Sequence, residues 1–181
     1  MKKVKCYAGG FCIAAILIGT TGRAQAATFE EAQRLNTAYP PGSVVVCRSD
    51  LPGDGKMLRR TLVTTRGTVI TRRNNLTDYD VKVTWLTEGA NSSGMTLTFR
   101  STERAEQSGV YLRIDPDTMA VSLPGASHEE KNNLLDGFRT RFGGSEHFAS
   151  YTETEITDFP SYIYRKPGEP TAYCHKEQSG H

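Results

Sequence analysis

A period-two alternation of apolar and polar residues in the middle of the chain most constrains its fold. In the segment MTLTFR, Met95, Leu97 and Phe99 alternate with threonines and an arginine, and DVKVTW and GVYLRI repeat the pattern. Successive side chains of a β-strand point to opposite faces, so each segment has one apolar and one polar face. The sequence therefore predicts an antiparallel sheet with one buried face and one face in water.

Two helices are predicted beside this sheet. Thr28 and Glu31 have the spacing of a capping box, and apolar residues return at helical intervals until Pro40-Pro41 ends the run. Ser127 and Glu130 begin a second amphipathic segment that ends at a pair of glycines. The first helix opens the folded domain, and the second interrupts the series of β-prone segments.

The N-terminus has the pattern of a secretory signal peptide. Three lysines among residues 2–5 precede an uncharged stretch, and Ala24-Gln25-Ala26 supplies the small residues that a signal peptidase requires. The uncharged stretch is shorter than the roughly 20 residues that a spanning helix needs, which disfavours an uncleaved membrane anchor. We predict cleavage of residues 1–26, no membrane span afterwards, and a periplasmic or secreted protein of bacterial type.

Cleavage changes the charge balance of the chain. The full sequence has 22 basic and 20 acidic residues, and residues 1–26 contain four of the basic ones and none of the acidic ones. The remaining 18 basic and 20 acidic residues give a formal charge of −2. A nearly neutral domain has no overall attraction to nucleic acid or membrane, so such binding would require a local patch.

Two cysteines remain after cleavage, Cys47 in VVVC and Cys174 in TAYCH. In an exported chain an isolated pair most simply forms one structural disulfide, which here would tie the first strand to the last. We therefore predict a single α+β, mostly β domain over residues 27–175, followed by a flexible tail over 176–181. Its eight to ten short antiparallel strands would curl into a half-barrel or barrel, with a β-sandwich as the alternative.

The segment RRTLVTTRGTVITRR, residues 59–73, reads almost the same from either end. If Thr65-Arg66-Gly67 is a three-residue hairpin loop, every residue faces one of its own kind, and arginine faces arginine. Such a cluster either pairs with Asp78, Asp80 or Glu88, or lies in water, or binds an anion. The predicted anion-binding residues are Arg59, Arg60, Arg66, Arg72 and Arg73.

The predicted partner of this hairpin is an anionic protein surface, a glycan or a lipid head group. The sequence argues against nucleic acid, because no aromatic residue lies within the basic run to stack on a base. Tyr162 and Tyr164 share one strand face, which either packs in the core or, if it points outward, forms a recognition surface for a protein or a sugar.

No catalytic motif accompanies these features. The chain lacks G-x-S-x-G, P-loop and dinucleotide-binding patterns, and its histidines lack metal-ligand spacing, so no catalytic residue, metal site or cofactor is predicted. Ser145, Glu146 and His147 are adjacent, but neighbours on a strand point to opposite faces. The predicted function is an exported, non-catalytic binding module, such as an inhibitor, immunity-type or accessory protein. The alternatives are a β-barrel carrier of a small ligand and a small periplasmic hydrolase.

Overall fold

The computed structural model describes residues 26–53, 59–89 and 94–178, so the predicted signal peptide lies outside the described residues apart from Ala26. Most of the domain is β-structure, as predicted. The elements in chain order are α1 (Phe29–Ala38), β1 (Val44–Leu51), β2 (Thr61–Arg73), β3 (Leu76–Thr87), β4 (Met95–Ala105), β5 (Gly109–Ser122), α2 (His128–Phe142), β6 (Glu146–Ser150), a 3₁₀ turn (Tyr151–Glu153), β7 (Thr154–Ile156), β8 (Tyr162–Tyr164) and β9 (Ala172–Lys176).

The nine strands form one antiparallel sheet in the order β6-β5-β4-β3-β2-β1-β9-β8-β7. The edge strands β6 and β7 are consecutive in the chain and are joined only by the 3₁₀ turn, which brings the two edges of the sheet near each other. The result is a nearly closed, barrel-like sheet. The predicted α+β fold with a half-barrel or barrel is confirmed, although β2 to β5, at 11 to 14 residues each, are longer than the short strands expected.

Both helices pack against the inner face of this sheet. The capping boxes of Thr28 with Glu31 and Ser127 with Glu130 are present as predicted. Leu35 of α1 belongs to a buried cluster with Val69 of β2. The apolar residues of α2, Leu135, Phe138 and Phe142, pack on a second cluster built from Leu97, Ile114 and Met119. The two helices thus cover opposite ends of the inner face.

The predicted hairpin within residues 59–73 is wrong. Residues 61–73 form one continuous strand, β2, which pairs with β1 on one side and β3 on the other. The chain reverses instead at Asn74-Asn75, a two-residue loop flanked by the pair Arg73 and Leu76, with Asn74 in the left-handed region at φ 53°. Asparagine tolerates that conformation, so this dipeptide was the stronger turn signal.

Gly67, assigned above to the hairpin loop, lies in the middle of β2. It faces the barrel interior, where a Cβ would lie 3.2 Å from Cγ1 of Val45 and 3.5 Å from Cδ1 of Tyr79. The absence of a side chain lets the Tyr79 ring pack over the strand at this point. Glycine weakens the interior of a strand, and an aromatic ring packed over it offsets this weakening, so Gly67 does not require a turn.

Strand β5 contains a proline. Asp115-Pro116-Asp117, a segment of turn-forming residues, lies within this single strand. The ladder to β4 is irregular there, because Thr98 pairs with Ala120 while Arg100 pairs with Asp115. A bulge accommodates proline, which cannot donate a hydrogen bond to the ladder.

The predicted disulfide between Cys47 and Cys174 is confirmed. The two residues face each other directly across β1 and β9 with their Cα atoms 4.0 Å apart. The bond joins the first strand to the last, as predicted, and is typical of an oxidising compartment. Lys176 belongs to β9, and the Glu177 N–H donates to the Val44 carbonyl, so the ordered sheet includes residues that were assigned to the tail. None of the helices in the described part of the chain is long and apolar enough to cross a bilayer.

Replacing both disulfide cysteines, Cys47→Ala with Cys174→Ala, is expected to lower the free energy of unfolding by about 3 to 5 kcal/mol. The bond closes a loop with a sequence separation of 127 residues, and such a crosslink restricts the unfolded chain strongly. Urea denaturation of the variant and of the oxidised wild type measures the difference. Equal midpoints for the two proteins would contradict this role.

Candidate functional site

The inner face of the sheet encloses a cavity of about 400 Å³ beneath α1. The alternation of side chains along β3 and β4 explains its position. The residues that line the cavity are every second residue of these strands, on the same face as the buried apolar residues. Much of the wall is apolar and includes Leu35, Val69, Val81, Phe99, Val110 and Leu112. The disulfide and five tyrosines complete the wall.

A β-bulge places Arg72 in this cavity. Simple alternation from Val69 would turn Thr71 inward and Arg72 outward. The register between β2 and β3 shifts at this point, since Val69 pairs with Tyr79 and Thr71 already pairs with Asp78. The extra residue, Ile70, therefore reverses the faces of the residues that follow, and Arg72 lines the cavity.

The Arg72 guanidinium has few protein partners. Its Nη2 donates to the backbone oxygen of Tyr39 over 3.2 Å. Its Nε is shielded from solvent and has no hydrogen-bond partner among the described residues. A guanidinium has five N–H donors, and leaving them unsatisfied in a protein interior is unfavourable. Arg72 is thus a charged group whose hydrogen-bonding capacity the surrounding protein uses only in part.

Glu103 is the acidic residue of the cavity wall. Burial raises the pKa of its carboxyl above the ordinary value of 4.5, while the Tyr79 hydroxyl and the Arg72 guanidinium act in the opposite direction. Among the ion pairs between described residues, none joins Glu103 to Arg72. The cavity therefore contains one basic and one acidic group that interact through space without direct contact.

The five tyrosines supply hydroxyl groups at several points of the wall. The Tyr39 hydroxyl donates to the Pro160 carbonyl over 2.9 Å, and that of Tyr164 donates to Glu153 over 2.7 Å. The Tyr151 hydroxyl is buried and has no partner among the described residues. Burial raises the pKa of Tyr39 to about 12. It also raises the pKa values of the other four, which are Tyr79, Tyr151, Tyr162 and Tyr164. All five therefore remain neutral hydroxyls at physiological pH.

Tyr162 and Tyr164 point inward. Tyr162 pairs with Cys174 across β9, and its hydroxyl lies 3.9 Å from the Sγ of Cys47. Of the two alternatives given for these residues, the structure has the inward one, and they do not form an outward recognition surface. They share the cavity with Arg72, so three of the seven predicted binding residues do come together, at a place that the sequence did not indicate.

The other predicted arginines are dispersed. Arg59 and Arg60 precede β2 and Arg73 ends it, a separation of about 40 Å for 13 extended residues. Arg60 pairs with Asp50, Arg66 pairs with Glu177, and Arg73 lies 4.0 Å from Asp78, which was one of the expected acids. These exposed pairs contribute little to stability, because solvent screens them. The cationic cluster that supported an anionic macromolecular partner is therefore not present.

Sequence reasoning missed Glu103 and Tyr79 as site residues. Glu103 continues the register of Met95, Leu97 and Phe99, and Tyr79 continues that of Val81 on β3. A charged residue on the buried alternation of a long strand was the available signal for a polar site in the interior. No signal in the sequence indicated that Ile70 is the extra residue of a bulge.

Other candidate chemistry is not brought together. Glu146 is exposed and His147 half-buried on β6, which agrees with the expectation that these neighbours point to opposite faces. No three His, Cys, Asp or Glu side chains within residues 26–53, 59–89 and 94–178 are grouped so as to hold a metal ion. No protein-family model matches the chain, and no curated protein matches its sequence.

Replacing Glu103 with glutamine is expected to change the pH dependence of stability. Because the pKa of Glu103 is raised in the folded state, its contribution is fully present below the unfolded value of 4.5 and is lost as pH rises through the folded value. Glu103→Gln should therefore match the wild type near pH 4 and exceed it at pH 7.5 in urea denaturation. The exposed Glu88→Gln should show no such divergence. Parallel pH profiles for wild type and Glu103→Gln would contradict the assignment.

Proposed function

We propose that this chain is an exported, non-catalytic binding protein that holds a small molecule inside its β-barrel. The observation that supports this proposal is the cavity of about 400 Å³, in which apolar walls surround a single guanidinium, a single carboxyl and several hydroxyls. Sites for small molecules are usually concave, largely apolar and supplied with a few convergent polar groups. The binding surface is then the interior of the barrel, in place of an arginine-rich hairpin.

Both the size and the walls of the cavity favour a small ligand over a macromolecule. Ligand pockets commonly measure about 300 to 1,000 Å³, and this cavity falls at the smaller end of that range. Its aromatic and aliphatic walls suit an apolar body, and the polar side chains provide fixed points that would orient it. A carrier needs such a preformed interior and no reactive group.

The chemistry of the polar groups also favours binding over catalysis. Burial raises the pKa values of the tyrosine hydroxyls, so they are weak acids and poor nucleophiles at neutral pH. The guanidinium of an arginine is suited to binding anions and is a poor group for transferring protons. Such groups recognise and orient a ligand.

An uncharged apolar fluorophore, 1-aminoanthracene, tests the cavity independently of charge. Wild-type protein is expected to bind it saturably at one site. Ala149→Leu and Ala172→Leu add bulk at two inner-face positions that line the cavity and should weaken binding about tenfold or more. Ala120→Leu is the matched control, because Ala120 is exposed on the outer face of β5. Fluorescence titration gives the affinities, and circular dichroism confirms that each variant is folded.

Two results would overturn the proposal. One is the absence of saturable binding by the folded wild type. The other is binding that both inner-face variants leave unchanged, which would place the fluorophore on the outer surface. Mass spectrometry of the purified protein under native conditions provides a second readout, since a molecule held in the cavity should appear as a discrete mass increment that solvent extraction removes.

A further inference from the structure

We infer that the cavity selects a singly charged carboxylate with an apolar body and that Arg72 is the residue that binds the carboxylate group. This inference rests on the proposed function, because it names the ligand class of the same site. The evidence for it is the position, the partners and the charge of Arg72, whereas the proposed function rests on the cavity as a whole. An apolar ligand without a charged group would satisfy the proposed function but not this inference.

The position of Arg72 is the first argument. Among the described residues that line the cavity, Arg72 is the only lysine or arginine and Glu103 is the only aspartate or glutamate. Arginine on the inner face of a strand is costly unless a partner neutralises it. The ion pairs of Arg60, Arg66 and Arg73 lie elsewhere, so the protein supplies partners to those exposed cations and leaves the interior one without an ion pair.

The unused donors of Arg72 are the second argument. One N–H donates to the Tyr39 carbonyl, and Nε has no partner among the described residues. The planar guanidinium matches the two oxygens of a carboxylate, which accept hydrogen bonds in parallel. A carboxylate that enters from the cavity would provide the missing charge and would accept from the terminal nitrogens of the guanidinium, since Nε is shielded from solvent.

The charge balance favours a single negative charge on the ligand. Arg72 brings one positive charge, and an ionised Glu103 offsets part of its field. A dianion such as a phosphate monoester would leave a surplus negative charge in a poorly solvated interior, which is strongly unfavourable. A monocarboxylate is neutralised by Arg72 alone.

The volume of the cavity sets the size of the apolar body. A cavity of about 150 Å³ holds benzene, which has six heavy atoms, so about 400 Å³ holds roughly 12 to 16. Decanoate, with a ten-carbon chain and one carboxylate, fits within this range and is the probe that we choose. Decanol, decylamine and decyl phosphate present the same chain with a different head group.

Glu103 makes the binding of a carboxylate depend on pH. The groups that act on it are Arg72 on β2, Tyr79 on β3, Tyr151 in the 3₁₀ turn and Tyr162 on β8. The tyrosines remain neutral, so Arg72 and the ligand are the charges that matter. A bound carboxylate repels the ionised form of Glu103 and favours its protonated form. Affinity for decanoate should therefore increase as pH falls toward the raised pKa of Glu103, for as long as the free carboxylate is still ionised.

The test is displacement of 1-aminoanthracene by the four decyl compounds at pH 7.5, supported by calorimetric titration with decanoate. Wild type is expected to bind decanoate about tenfold or more tightly than decanol. Arg72→Gln should remove this preference by weakening decanoate binding far more than decanol binding, because only the charged head group loses an ion-pair partner. Arg73→Gln is the matched control, since the neighbouring side chain is 80% exposed on the other face of β2. Glu103→Gln should flatten the pH dependence of decanoate binding.

The inference fails if Arg72→Gln keeps the preference for decanoate, or if decanol, decylamine or decyl phosphate binds the wild type as tightly as decanoate. In each case binding of the neutral fluorophore would leave the proposed function intact. If neither fluorophore nor decanoate binds, both fail. Should Arg72→Gln not fold, Arg72→Lys provides the second variant. It retains the charge without the forked donors and is expected to weaken decanoate binding with a smaller effect on decanol.

Discussion

The pairing of β1 with β9 is the contact on which the rest of the structure depends. Strands β1 to β6 follow one another across the sheet, and β7 to β9 form a second, smaller series. The two series are hydrogen-bonded strand to strand where β9 lies beside β1, and the disulfide links them at that line. Without this junction Tyr162 and Tyr164 would not face Arg72, and the cavity would lack one wall.

The interior of this small domain contains two charged side chains, Arg72 and Glu103. Two helices cover the ends of the inner face with apolar residues, and the polar groups are confined to the cavity beneath α1. There the neutral tyrosine hydroxyls and the Tyr39 carbonyl solvate Arg72 and Glu103 in part. The stability of the barrel and the chemistry of its interior therefore oppose each other, as is common where a protein keeps a binding site at some cost in stability.

Much of the fold was predictable because it depends on local patterns. The capping boxes fixed where both helices begin, the alternation identified the sheet, and two isolated cysteines identified the bond that closes it. The arginine hairpin was wrong because mirror symmetry in residues 59–73 carries no information about pairing partners. The true partners of β2 are β1 and β3, and the turn signal lay in Asn74-Asn75. The cavity depended on a register shift at Ile70 that no residue pattern announces.

Ile70, the extra residue of the bulge, is the residue that β2 can lose without a change of register. Val69 pairs with Tyr79 and Thr71 with Asp78, its next neighbour on β3, so a chain that lacked Ile70 would still make every pair of the ladder. Deletion of a different residue of β2 would change the register, and the side chains between the deleted position and the bulge would point to the opposite face of the sheet. Position 70 is therefore the point at which this strand can lose a residue while Arg72 continues to face the inside of the barrel.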